Sequence, residues 1–192
     1  MKIAIQNGTI INGTGESPQP NSTILIEDST IVDIGPNVSV PSDAKVLDAI
    51  CDEILDISIQ MVRRILDAVG AEVDAVLTGD DIGAQTGLQI SHDDYLKYVK
   101  PRHTKYFRLV RDLTPAKIAY HTCGSVINIM DDMIEMGIDA IHPIQVTAAG
   151  MNPVELKRQF GDRMAFWGGI DTQHILPRGS VDDVKQAVER CV

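Results

Sequence analysis

The chain has 192 residues, 44% of them apolar and 23% charged, which suits a globular protein with one good-sized core, or one domain and an appendage. Its net charge of −10 excludes a general nucleic-acid or anionic-membrane surface, because neither would be attracted to it. No run of about 18 apolar residues and no basic-then-apolar leader is visible, and Cys51, Cys123 and Cys191 do not make a disulfide framework, so a reducing, cytoplasmic setting is expected.

The first stretch, to Asp48, predicts short β-strands. Lys2–Gln6 and Thr9–Ile11 read as two strands around the turn pair Asn7-Gly8, and Asn12–Asn21 as a loop rich in Gly, Pro, Ser and Asn. Thr23–Glu27 and Thr30–Ile34 read as a hairpin turning at Asp28-Ser29. Such a small antiparallel unit is marginal alone, because a few short strands bury little surface. The blocks Ile5–Ile11, Ile24–Asp28, Ile31–Gly35 and Val46–Ala49 resemble the N-terminal β-segment of the amidohydrolase superfamily. The His-x-His that follows it in that family is absent here, where Ile50-Cys51-Asp52-Glu53 follows and the first histidine is His92. The resemblance therefore stops near Ala49 and brings no metallohydrolase site.

From Asp52 the pattern becomes alternating helix and strand. Ile54, Ile57, Met61, Ile65, Leu66 and Val69 recur at helical spacing, and Gly70 closes the helix. Val73–Thr78 predicts a strand, and Gly79–Ile90 a polar loop. Ser91 caps a helix running to about Asp112, which Pro101 should kink or split. Ile118–His121 and Ser125–Met136 form the next strand and helix, and Ile138–His142 the strand after them. Asn152-Pro153 is a cap with Pro in the first helical position, starting a helix to Phe160. Arg163–Trp167 is a strand, and Ser180 caps a last helix, Val181–Cys191. A leading helix and four βα units predict a parallel sheet flanked by helices, with a small doubly wound sheet as the rival to a barrel segment.

Four strand ends carry polar or special residues, and in a parallel barrel all of them lie on one face, where chemistry is done. His121 and Cys123 are soft-metal ligands one residue apart, on a bend that can aim both at one ion. The competing reading is a buried thiol and a hydrogen-bonded histidine. Asp80 and Asp81 either bind a substrate or cation or simply form a solvated, acidic, helix-capping loop. His142, before Pro143, reads as a packing residue, with Gln145 beyond it as a polar group at the same strand end. Gly168 and Gly169 either let the backbone approach a ligand or form a tight turn, and Asp171 follows them. Cys51 and Cys191 read as inert thiols.

Residues 52–192 resemble the uroporphyrinogen decarboxylase superfamily in many ordered blocks. Among these are Gly79-Asp80-Asp81-Ile82-Gly83-Ala84-Gln85-Thr86-Gly87, Lys100-Pro101, Tyr120-His121-Thr122-Cys123-Gly124-Ser125, His142-Pro143-Ile144-Gln145 and Phe166-Trp167-Gly168-Gly169-Ile170-Asp171-Thr172-Gln173. The resemblance implies a partial (β/α) barrel at residues 52–192 beside an amidohydrolase-like β-segment at residues 1–49. One branch of the superfamily decarboxylates uroporphyrinogen without metal or cofactor. The other transfers methyl groups from corrinoid proteins to thiols, with zinc activating the thiol, and is marked by His-x-Cys plus a distant third Cys.

The resemblance favours the zinc branch, with His121 and Cys123 as zinc ligands and the third ligand unassigned. In the decarboxylase alternative, Asp81 or Asp171 is catalytic and no cofactor is needed. Asp80, Gln145, Gly168 and Gly169 are the expected substrate-binding residues in either case. The expected partners are small molecules, a thiol and a corrinoid methyl donor or else a porphyrinogen, with no nucleic acid or membrane and a homo-oligomer as an option. A further alternative is a truncated or fused, inactive fragment. Whichever chemistry the resemblance implies, weak zinc binding and no turnover are expected of the 192-residue chain by itself, because only His121 and Cys123 stand out as ligands. An amidohydrolase is the least favoured reading.

Overall fold

The structure is a computed structural model and describes residues 2–42 and 44–191. The apolar–polar alternation of the N-terminal stretch builds β1 (Lys2–Ile10), β2 (Gln19–Glu27) and β3 (Thr30–Gly35), with a short β4 (Lys45–Val46) completing a sheet of order β3-β2-β1-β4. The first three strands pair antiparallel, and β4 runs parallel to β1. Asn7-Gly8 does not turn the chain as the sequence suggests. Both residues belong to β1, and the register with β2 slips between Ile5 and Gly8, so the dipeptide produces an irregularity within one strand. Pairing with β2 on both sides of the irregularity outweighs the local turn preference. The turn at Asp28 forms where expected, with Asp28 in the left-handed region at φ 54°.

A single helix, α1 (Leu47–Val69), starts earlier than Glu53, taking in residues that the sequence groups with the N-terminal β-segment. Its buried apolar residues are Leu55, Val62 and Leu66. Of the apolar residues that recur at helical spacing, Ile54, Ile57, Met61, Ile65 and Val69 are exposed and only Leu66 is buried. The helix carries apolar residues on more than one face, so periodicity finds the helix without selecting the buried stripe. The chain divides into two compact units, residues 1–58 and 59–192, and the division falls inside α1.

The second unit contains four parallel strands, β5 (Ala75–Gly79), β6 (Lys117–His121), β7 (Ala140–Ile144) and β8 (Ala165–Gly168), ordered β5-β6-β7-β8. Chain order equals spatial order, unlike a doubly wound sheet, whose order reverses at a switch point. With right-handed crossovers, such an order carries the connecting helices to one side. Those helices are α2 (His92–Asp94) and α3 (Lys100–Leu113) after β5, α4 (Met130–Glu135) after β6, α5 (Pro153–Phe160) after β7, and α6 (Ile175–Arg178) and α7 (Val181–Glu189) after β8.

The break expected at Pro101 is a π-helical turn, Tyr95–Val99, joining α2 to α3. Proline lacks an N–H and its ring crowds the carbonyl four residues back, and the wider turn relieves both. Ser91, Asn152 and Ser180 cap their helices as the sequence implies. The helix expected over Ser125–Met136 is shorter, with a 3₁₀ turn (Ile127–Ile129) preceding α4, because Ser125 donates its N–H to the Ala84 carbonyl (2.8 Å) in a neighbouring loop. A core of Ile118, Tyr120, Ile129, Met130, Met133, Ile141, Met151 and Leu156, all at most 2% exposed, fixes the sheet against its helices. Among the described residues no helix is long and apolar enough to cross a membrane.

Candidate metal centre

Strands β5 and β6 lie in register, with Gly79 opposite His121. A Cβ on Gly79 would collide with the His121 backbone and Cβ, so glycine is the residue that lets the two strand ends close together. Beyond them the two loops cross backbone against backbone. Gly124, at φ 80°, lies against the backbone of Gly83 and Ala84, and a side chain on Gly83 would meet the Cys123 carbonyl. The buried Thr122 hydroxyl accepts the Ile82 N–H at 3.1 Å. These contacts deliver Asp81 from the first loop to His121 and Cys123 on the second.

One ligand atom each of Asp81, His121 and Cys123 can be chosen so that all lie within 4.8 Å of one another. His121 Nε2 is 3.6 Å from Asp81 Oδ1 and 3.9 Å from Cys123 Sγ. Tetrahedral zinc, with bonds of about 2.0–2.3 Å, separates such ligand pairs by about 3.3–3.7 Å. The His121–Asp81 spacing falls in that range and the His121–Cys123 spacing is slightly wider, with the third pair within 4.8 Å. The donor set, one carboxylate, one imidazole and one thiol, also suits zinc with a fourth position left for a substrate. Asp81 Oδ1 accepts the Cys123 N–H at 2.9 Å, which fixes the carboxylate beside the thiol. Burial, then the charge and hydrogen bonding of Asp81, push the Cys123 thiol above its ordinary pKa. A cation bound here would exchange that thiol proton for a charge that Asp81 also favours.

The expected site residues separate into two groups. Asp81, His121 and Cys123 converge, which the sequence could not assert for Asp81. Asp80 points elsewhere, its carboxylate 3.0 Å from Nε2 of His103 on α3, and its carbonyl accepts from the Tyr120 hydroxyl at 3.3 Å. Gln145 accepts the Gly124 N–H at 2.8 Å and donates to Gln85 Oε1 at 3.0 Å, so it braces the Cys123 loop. Gln85 donates onward to the Thr147 carbonyl, and the Thr147 hydroxyl to Gln173 (2.9 Å), tying four loops into one belt. Gly168 and Gly169 both have positive φ, and a Cβ on Gly168 would crowd Pro143.

Asp171 binds its own loop, accepting from the N–H groups of Gln173 (2.7 Å) and His174 (2.9 Å) and approaching the His174 ring (3.1 Å). Burial would raise its pKa, but those hydrogen bonds prevail and hold it below the usual carboxylate range. Of the other cysteines, Cys191 approaches the Gly169 carbonyl at 3.5 Å and neither it nor Cys51 belongs to the cluster. His142, read from sequence as packing, has its ring against His121, with Nδ1···Nδ1 at 2.9 Å. The available signal was its position, since the sequence reads two successive strands as ending in histidine, at 121 and 142; in the structure β7 continues to Ile144.

The sequence model described as uroporphyrinogen decarboxylase (URO-D) matches residues 40–192. A solved methyltransferase from Methanosarcina mazei superimposes with a TM-score of 0.59 at 20% identity, over 76% of this chain and 40% of that one. At that identity the likeness is one of fold, and this chain spans about 40% of the neighbour's length. No curated protein matches the sequence.

Proposed function

The chain belongs to the uroporphyrinogen decarboxylase family, and from that premise we propose that it represents the zinc-dependent, thiol-directed methyltransferase branch. In this reading Asp81, His121 and Cys123 hold the metal, a small thiol occupies the fourth position, and a corrinoid carries the methyl group to be transferred. The observation that carries the proposal is the meeting of three different ligand types at one end of the sheet. The methyltransferase neighbour supports its fold component, in which the four strands are a sector of a (β/α) barrel and the loops after them form its working face.

Zinc in such a site acts as a Lewis acid and makes a thiol available as thiolate near neutral pH. The chain's own residues supply the shape of the site. Asp81 is held by the Cys123 N–H, and Gln145 anchors the adjoining Gly124. Of the two carboxylates on which the decarboxylase alternative rests, that of Asp171 is taken up by its own loop, and Asp81 lies in the cluster with His121 and Cys123.

The test is to load the full chain with Co(II) and titrate it with a small thiol such as 2-mercaptoethanesulfonate. A sulfur-to-cobalt charge-transfer band, present before thiol and stronger after it, is expected. A Co(II) spectrum indifferent to added thiol would contradict the reading.

A further inference from the structure

His142 is not among the three ligand residues, yet its ring nitrogen lies 2.9 Å from His121, closer than the nearest ligand atoms of Asp81 (3.6 Å) and Cys123 (3.9 Å) lie to it. His121 and His142 are register partners in the parallel pair β6–β7, so their side chains emerge side by side on one face of the sheet. Their rings lie 5.1 Å apart and are joined Nδ1 to Nδ1 at 2.9 Å. The backbone repeats the link, with the Thr122 N–H donating to the His142 carbonyl at 2.8 Å. On its far side the His142 ring packs against Trp167, centroid to centroid 4.7 Å and tilted by 58°. His142 is therefore gripped from both sides, by a histidine on β6 and an indole on β8.

A hydrogen bond between two ring nitrogens requires one donor and one acceptor, and a neutral imidazole offers one of each. The Nε2 of His121 faces Asp81 Oδ1 and Cys123 Sγ. To serve as a metal ligand, Nε2 must present its lone pair, which leaves the His121 proton on Nδ1. That proton can then only be donated to Nδ1 of His142, whose own proton lies on Nε2. Resting on the zinc reading above, we propose that His142 is a positioning residue: it accepts the Nδ1–H of His121, fixes that tautomer, and aims Nε2 at the metal position. Trp167 holds the acceptor ring in place. Metal-binding histidines characteristically donate their second N–H to such a partner, and its loss typically weakens metal binding by ~10–100-fold.

The experiment compares the full chain with His142→Asn and His142→Phe. Asparagine can place its amide oxygen close to where Nδ1 lies and restores an acceptor, whereas phenylalanine keeps a ring against Trp167 but accepts nothing. Zinc affinity is measured by competition with a chromophoric chelator, and metal-free thermal unfolding checks that each variant folds. The expected result is binding ~10–100-fold weaker in His142→Phe and within about threefold of the parent in His142→Asn. Nitrogen-15 shifts of the imidazoles in the zinc-loaded parent give a second readout that needs no variant, with His121 expected as the Nδ1–H tautomer. Parent-like zinc affinity in a folded His142→Phe protein, equal weakening in both variants, or a His121 Nε2–H tautomer overturns this inference alone. A parent chain that binds no zinc overturns the metal reading and this inference with it.

Discussion

Cys123 shows how much a single neighbour sets the chemistry of a group. Burial, and after it the negative charge of Asp81, holds the thiol in its protonated form. Replacing Asp81 by Asn removes that charge, so the thiol pKa falls and more thiolate is present at any given pH. Alkylation of Cys123 by iodoacetamide, followed against pH in the metal-free protein, should have its midpoint above the ordinary thiol range in the parent and at lower pH in Asp81→Asn. Midpoints that coincide would remove Asp81 from this role. At Gly124 the constraint is steric: φ is 80°, and a side chain would enter the Gly83–Ala84 backbone. Gly124→Ala should lower stability by about 2–4 kcal/mol, from left-handed strain plus overpacking. Chemical denaturation measures this, and a loss below about 0.5 kcal/mol, the scale of an ordinary surface substitution, would contradict it.

Among the elements, the end of the sheet opposite the candidate site is fastened by Asp139. Its carboxylate accepts the Ile118 N–H at 2.8 Å and pairs with Arg111 of α3 and with Lys117, while its backbone bonds both Ile118 and Ala165. One residue thus links β6, the start of β7 and β8. Burial alone would raise its pKa, but these hydrogen bonds and the Arg111 charge outweigh it and lower the pKa. A carboxyl depressed on folding stabilises the protein above its unfolded-state pKa, and that contribution is lost as pH falls through the folded-state value. Asp139→Ala should therefore cost about 1–3 kcal/mol at neutral pH. Urea unfolding from pH 7 to 3 should show the difference from the parent narrowing at the acid end; a pH-independent difference would contradict the argument.

The helix caps and the βα alternation were legible because they depend on neighbours a few residues apart, as at Ser91, Asn152 and Ser180. The His121–Cys123 pair was legible for the same reason. What could not be read depends on pairing across the chain. Asn7-Gly8 became part of β1 because β2 pairs along it. The buried stripe of α1 is set by what covers Leu55, Val62 and Leu66, and several neighbouring apolar residues offered an equally good pattern. Asp81 joined the site through the Gly83–Gly124 crossing, and His142 through the β6–β7 register, neither of which has a local signature.

For the molecule as a whole, the parallel sheet has β5 and β8 as its edges, and both present large apolar groups to solvent, Leu77 at 52% and Trp167 at 53% exposure. Open edges with apolar side chains favour association. Sedimentation across a concentration series should show self-association, and a purely monomeric species throughout would count against it. Asp81, His121 and Cys123 are proposed together to form a metal site, and metal content tests this directly. The purified full chain, equilibrated with zinc and freed of excess, should retain about one equivalent, as expected for a single three-ligand site. His121→Ala and Cys123→Ala should reduce this to traces, and Asp81→Ala should weaken retention. Substoichiometric zinc in the parent, left unchanged by all three substitutions, would rule out this metal site.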